Sequence, residues 1–124
     1  MPATTPNEVN ECLTKAINDG DVDAVVALYE PDAVFETANG PVTGTAAIRG
    51  VMIAFMALKP SLNMTAKEAI RTGDLAVTRG TWSLSGTGPD GKPVSMSGRS
   101  VEVVRRQTDG NWLFAIDAPN GADD

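Results

Sequence analysis

Apolar residues recur with a helical period in the first half of the chain and with a strand period in the second. Val9, Cys12, Leu13, Ala16 and Ile17 fall on one side of a helix. Thr5-Pro6-Asn7-Glu8 stands just before that side and reads as a capping box with proline at the first helical position. Gly20 can end this helix and Asp21 can cap the next. The second helix would bury Val22, Val25, Val26 and Tyr29, and Pro31 would stop it. Ala33 to Thr37 then reads as a short strand and Asn39-Gly40 as a turn. Thr45 caps a third helix that lines up Ile48, Val51, Met52, Phe55 and Met56 before Pro60 closes it.

From Leu62 onward the pattern is strand-like. Strands are expected over Leu62–Arg71, Leu75–Ser85, Val94–Arg105 and Asn111–Asp117. Gly73-Asp74, Asp90-Gly91 and Asp109-Gly110 supply turns between antiparallel neighbours. Helices first and a meander afterwards predict an α+β domain rather than a parallel βαβ sheet. The 124 residues suit one domain, 1–124, with frayed ends near 1–5 and 118–124.

Charge narrows the partners. A net charge of −6 disfavours a nucleic-acid backbone or an anionic membrane surface, and Arg105-Arg106 is a pair rather than a patch. No basic segment leads into an apolar run near the start, and no stretch approaches membrane-spanning length. The lone cysteine, Cys12, allows no internal disulfide, which suits a reducing, cytoplasmic setting. The chain has no histidine, so a metal site would need carboxylates alone and none is expected. Acid–base chemistry then falls to Asp, Glu, Tyr, Lys or water.

Three features mislead. Gly86-Thr87-Gly88-Pro89-Asp90-Gly91-Lys92 carries the glycines of a phosphate loop, but it joins two strands and Pro89 lacks an amide donor. It reads as a hairpin tip. Among the methionines, Met52 reads as core filler, while Met56, Met64 and Met96 stay open. Cys12 lies on an apolar helix face and reads as an inert thiol.

Strand parity suggests where a site could be. One parity collects Val77, Arg79, Thr81 and Ser83, then Met96, Gly98, Ser100, Glu102 and Val104, then Leu113, Ala115 and Asp117. The opposite parity collects Trp82, Leu84, Val101, Val103, Trp112, Phe114 and Ile116. One face must cover the helices and the other is too apolar to stand in water as one patch. Parity does not say which is which, and one bulge reverses the assignment.

The run GD-x-D-x-x-x-x-LY-x-PDAVF from Gly20, then G-T-x-AI from Gly44, then VEVVRRQTDGNW from Val101, resembles the nuclear transport factor 2-like superfamily, in particular its SnoaL-like and ketosteroid isomerase-like members and a branch of unknown function. The resemblance spans nearly the whole chain. It implies a cone-shaped roll: three N-terminal helices on a curved, mainly antiparallel sheet that encloses a pocket, with dimers through the sheet's outer face. It would place Arg79, Glu102 and Asp117 inside. Where ketosteroid isomerases carry a basic aspartate and an oxyanion-binding tyrosine, this chain has Thr37 and Leu13, while Glu102 falls at their neutral carboxylic acid. Trp112 to Asp117 matches the spacing of the last-strand aspartate in limonene epoxide hydrolases, and Arg79-Gly80-Thr81 keeps the arginine of their Arg-x-Asp pair. SnoaL-type cyclases use a late acidic base, a role open to Asp117.

The expected function is therefore a small-molecule-binding pocket protein of this type. As a cofactor-independent enzyme it would perform proton transfer or water activation on an apolar, ring-sized substrate. Asp117 would be the base, Glu102 the acid or hydrogen-bond donor, and Arg79 the group orienting a carboxylate or holding developing negative charge. Tyr29, Phe35, Thr37, Met52, Met56 and Trp82 are the candidate substrate-binding residues. The alternative is a non-catalytic ligand-binding or dimerisation module. For the polar trio the structural alternatives are that Asp117 caps the sheet's end or pairs with Arg79, and that Glu102 pairs with Arg99 or Arg105 on an exposed face.

Overall fold

The structure, a computed structural model, describes residues 2–123. Helix α1 spans Pro6–Asn18 and α2 spans Val22–Val26; α3 spans Thr45–Met56. The strands are β1 (Tyr29–Thr37), β2 (Gly40–Thr43), β3 (Ser61–Ala66), β4 (Ile70–Thr72), β5 (Leu75–Thr87), β6 (Pro93–Arg106) and β7 (Trp112–Ala118). They form one seven-stranded sheet in the order β2-β1-β7-β6-β5-β3, with β4 also paired to β5. The β1–β7 pair is parallel and the others are antiparallel. This is the expected α+β architecture. Among the described residues no helix is long and apolar enough to cross a membrane.

Local chemistry explains most boundaries. Pro6 opens α1, whose buried side includes Val9, Leu13, Ala16 and Ile17. The capping box is shifted: Thr5 occupies the cap without a side-chain bond, and the Thr4 hydroxyl donates to Glu8 Oε1 at 2.9 Å. Gly20 takes φ of 71°, where a side chain would be strained, and lets the chain turn. Asp21 Oδ1 then accepts from the Ala24 amide at 3.0 Å and caps α2. Gly44, not Thr45, caps α3, because the chain there needs φ of 93°.

Two expectations about α2 and β1 are corrected. The helix ends at Val26, and Tyr29 begins the strand instead of completing the helix face. Pro31 lies inside β1 rather than stopping a helix. It is tolerated because the β1–β7 register shifts between Tyr29 and Val34, where the ladder asks for no amide. The long strand expected over 62–71 is also two strands, with 67–69 between them. Residues 88–92 form the predicted hairpin tip, closed by Gly88 N donating to Lys92 O at 2.8 Å.

Described residues near both ends, 3 and 122–123, bond to the fold. Ala3 is buried and its carbonyl accepts from the Trp112 amide at 2.8 Å. Beyond β7 the chain turns back along β6, with Ala122 N donating to Arg99 O at 3.0 Å and Arg99 N to Asp123 Oδ1 at 2.7 Å.

The helices cover one face of the sheet. Antiparallel register sets Ala76, Thr78, Gly80, Trp82 and Leu84 of β5 opposite Val104, Glu102, Ser100, Gly98 and Met96 of β6. On β7 a register shift at Val103/Val104 skips Ala115, so Phe114 and Asp117 both point inward. Trp112, Phe114, Ile48, Val9 and Val104 form the centre of the core.

Candidate active site

A cavity opens between the helices and the inner sheet face. Leu13 and Ile17 of α1 and Met52 and Phe55 of α3 form one wall; Phe35, Leu62, Met64, Trp82 and Leu84 form the sheet side. It encloses about 70 Å³, and about 550 Å³ with its solvent-open mouth included. Pro119 closes one end: Trp82 Nε1 donates to its carbonyl at 2.7 Å. Gly98 makes that approach possible, since a Cβ there would come within 2.4 Å of Asn120 Nδ2 and 3.0 Å of Pro119 O.

The polar groups in this apolar space are Ser100, Glu102 and Asp117. Glu102 and Asp117 are 2% and 3% exposed and face each other across the β6–β7 ladder. Tyr29 Oη donates to Asp117 Oδ2 at 2.5 Å from behind the cavity wall. Thr78 Oγ1 donates to Glu102 Oε1 at 2.7 Å, and Asn10 Nδ2 reaches Thr78 Oγ1 at 3.1 Å and Glu102 Oε1 at 3.4 Å. The chain thus holds two acids in its interior with neutral donors on each.

Their protonation follows from this setting. Burial, then the neighbouring Glu102 charge, push Asp117 up to about 7 against the opposing Tyr29 bond. Burial also raises Glu102, but Ser100, Thr78 and Asn10 all favour its charged form. Tyr29 is driven well above the ordinary phenol range by burial and by the Asp117 carboxylate, so it stays a donor. Cys12 is half-buried and its thiol is pushed up mainly by burial, away from nucleophilic character.

Of the candidate residues, the structure brings Phe35, Met52, Trp82, Glu102 and Asp117 to the cavity. Tyr29 is not a wall but a support for Asp117. Thr37 lies at the β1–β2 turn, its hydroxyl donating to Gly40 O at 2.8 Å. Met56 packs half-buried beside the core, away from the cavity lining. Arg79 is the main correction: it is paired with Val101 on the outer face, so it neither shares the cavity nor pairs with Asp117. Thr81 shares that outer face. The β5 parity was misleading because its inner face carries small Ala76, Thr78 and Gly80, which give little apolar signal; Asn10 of α1 bonds Thr78, and a Cβ at Gly80 would come within 2.7 Å of Thr65 O on β3. Arg105 pairs with Glu30 at 3.0 Å rather than with Glu102. Asn10 and Thr78 were missed; the available signal was a polar Asn10 beside the apolar stripe of α1.

Helices closing one face of a mixed, mainly antiparallel sheet around an apolar cavity define the cone fold of the nuclear transport factor 2-like superfamily. Within it the chain belongs to the SnoaL-like domain family, which matches residues 9–114. A ketosteroid isomerase-like protein from Erwinia carotovora atroseptica superposes with a TM-score of 0.80 at 20% identity, over 90% of this chain and 89% of its own. A nuclear transport factor 2-like superfamily protein from Salmonella enterica serovar Typhimurium gives 0.80 at 18% identity, over 95% and 90%. A conserved protein from Planctomyces limnophilus gives 0.81 at 22% identity, over 90% and 89%. At these identities the likeness is one of fold. No curated protein matches the sequence.

Proposed function

We propose that this SnoaL-like domain binds a small, largely apolar ring compound and moves a proton on it, or on a bound water, without a cofactor. The observation that supports this is Asp117: a carboxyl group buried in an apolar cavity, beside a second acid, and poised at about 7. An acid–base group works best when its pKa lies near the operating pH. Asp117 is then the proton-transferring residue. Glu102, raised by burial but bonded by Thr78 and Asn10, which favour its charged form, supplies the field that lifts Asp117. Tyr29 fixes the orientation of the Asp117 carboxylate. Phe35, Met52 and Trp82 hold the ring. The enclosed 70 Å³ is smaller than the roughly 150 Å³ that accommodates benzene elsewhere, so the ring sits partly in the mouth with its reacting end inside.

The test is ligand-induced melting with a panel of cyclic terpenoids, polyketides and steroids, followed by turnover assays of any binder. Turnover that disappears in Asp117→Asn while binding persists supports the reading. Binding with no turnover by the unaltered protein sinks the enzymatic part and leaves a non-catalytic ligand-binding module.

The same proposal includes a homodimer through the outer sheet face, in a cytoplasmic setting that suits the lone Cys12. Val34, Ile116, Val103, Val77 and Ile70 form one continuous row across that face by register. Ile116 is 44% and Ile70 60% exposed, an apolar stripe that a second copy would cover.

A further inference from the structure

We infer that the cavity selects ligands that carry a protonated amine on a single apolar ring. This deepens the proposed function and rests on the cavity being the ligand site. The titratable groups lining the cavity are both acids, Glu102 and Asp117, and the donors that reach them are neutral: Tyr29, Thr78 and Asn10. The ion pairs of Lys15, Arg49, Arg105 and Arg106 engage Asp19, Asp23, Glu30 and Asp74, none of which lines the cavity, and Arg79 lies on the opposite sheet face. A buried carboxylate charge without a cation is costly, and a ligand that brings one relieves the cost. An anion would meet like charge in a water-poor space.

Geometry adds a third acceptor. Ser100 is 2% exposed, lines the cavity, and stands two residues from Glu102 on the same face of β6. Its hydroxyl lies near enough to Glu102 to favour the charge, yet it makes no hydrogen bond of good geometry. An ammonium has three donors. Asp117, Glu102 and Ser100 are three acceptors on the adjacent strands β6 and β7, all lining the cavity. The aromatic faces of Phe35, Phe55 and Trp82 suit both the ring and a cation beside it. Among the described residues no group of three or more His, Cys, Asp or Glu could hold a metal ion, so an organic cation suits the site better than a coordinated one.

The test is calorimetric titration of the full chain with benzylamine, benzyl alcohol and benzoate at low salt. Benzylamine should bind at least about tenfold more tightly than benzyl alcohol at about pH 8, with benzoate weakest. The advantage should shrink towards about pH 5, where Asp117 takes up a proton while benzylamine stays charged. The titratable groups facing Asp117 are Glu102 from β6 and Tyr29 from β1. The helices contribute Leu13, Met52 and Phe55, and β5 contributes Trp82; Glu102, itself raised by burial, takes up a proton over the same fall in pH and shrinks the advantage in the same direction. Asp117→Asn should lose the advantage and keep benzyl alcohol binding. If that variant does not fold, Ser100→Ala, expected to weaken benzylamine a few-fold and leave benzyl alcohol unchanged, decides together with the unaltered protein's pH series. Benzyl alcohol or benzoate binding as tightly as benzylamine overturns the inference and leaves the pocket reading intact. No binding by any of the three overturns both.

Discussion

The two faces of the sheet invert the usual distribution of polarity. The inner face, under the helices, buries Thr78, Ser100, Glu102 and Asp117 among Trp112, Phe114 and Val104. The outer face carries the Val34, Ile116, Val103, Val77 and Ile70 row towards solvent. Under the proposed function the buried acids serve a bound ligand. The apolar outer row would be covered by a second copy. Each face is then costly in the isolated chain, and the two proposed partners differ in kind.

The sharpest contrast is between neighbours on β7. Phe114 is fully buried and Ile116 is exposed, two positions apart. Phe114→Ala should cost about 3–5 kcal/mol in denaturant unfolding, through lost burial and the cavity left behind. Ile116→Ser should leave monomer stability within about 1 kcal/mol and instead shift the sedimentation profile towards monomer. Equal losses for both would mean that the outer row is not an assembly surface.

Asp117 gives the next largest effect. Its folded pKa of about 7 lies above the ordinary 3.8, so the folded state holds a proton that the unfolded chain has released. Stability should therefore be greatest below about pH 4 for this group, fall as pH rises between the two values, and level off above about 7. Asp117→Asn removes that ionisation. It should raise stability at pH 8 by on the order of 3 kcal/mol and flatten the pH dependence, read by thermal melts across pH. A variant less stable at pH 8 than the unaltered protein would show that the Asp117–Tyr29 bond outweighs desolvation.

Thr78→Val keeps the shape and removes a donor to Glu102. A loss of about 1–3 kcal/mol is expected, shrinking as pH falls and Glu102 loses its charge. Comparable losses at all pH values would show that Thr78 matters through packing alone. Arg79→Ala should have the smallest effect, within about 0.5 kcal/mol on unfolding, with ligand binding unchanged. Weakened ligand binding in that variant would return Arg79 to the site and contradict the face assignment.

The elements were legible where one local rule governed them. Gly20 and Asp21 separate two helices, Asp109-Gly110 turns a hairpin, and the Gly86–Lys92 run could be recognised as a strand-to-strand tip. Expectations failed where a distant contact decided. Pro31 looked like a helix stop, but a register shift against β7 makes room for it in a strand. Parity and family likeness together put Glu102 and Asp117 on the inner face, where both line the cavity. Arg79 was misplaced because small inner residues on β5 hide the true alternation.

Sequence by itself determined the order of helices and strands, the α+β class, the absence of histidine chemistry and the two acids available for a site. Those follow from periodicity and composition, which are local. Tertiary structure alone decided which face of each strand turns inward. The skipped Ala115 reverses the alternation on β7 so that Phe114 and Asp117 share a face, and pairing against β6 sets Thr78 rather than Arg79 beside Glu102. A strand's two faces differ by a single residue of register, and register is a property of the pair, not of either strand.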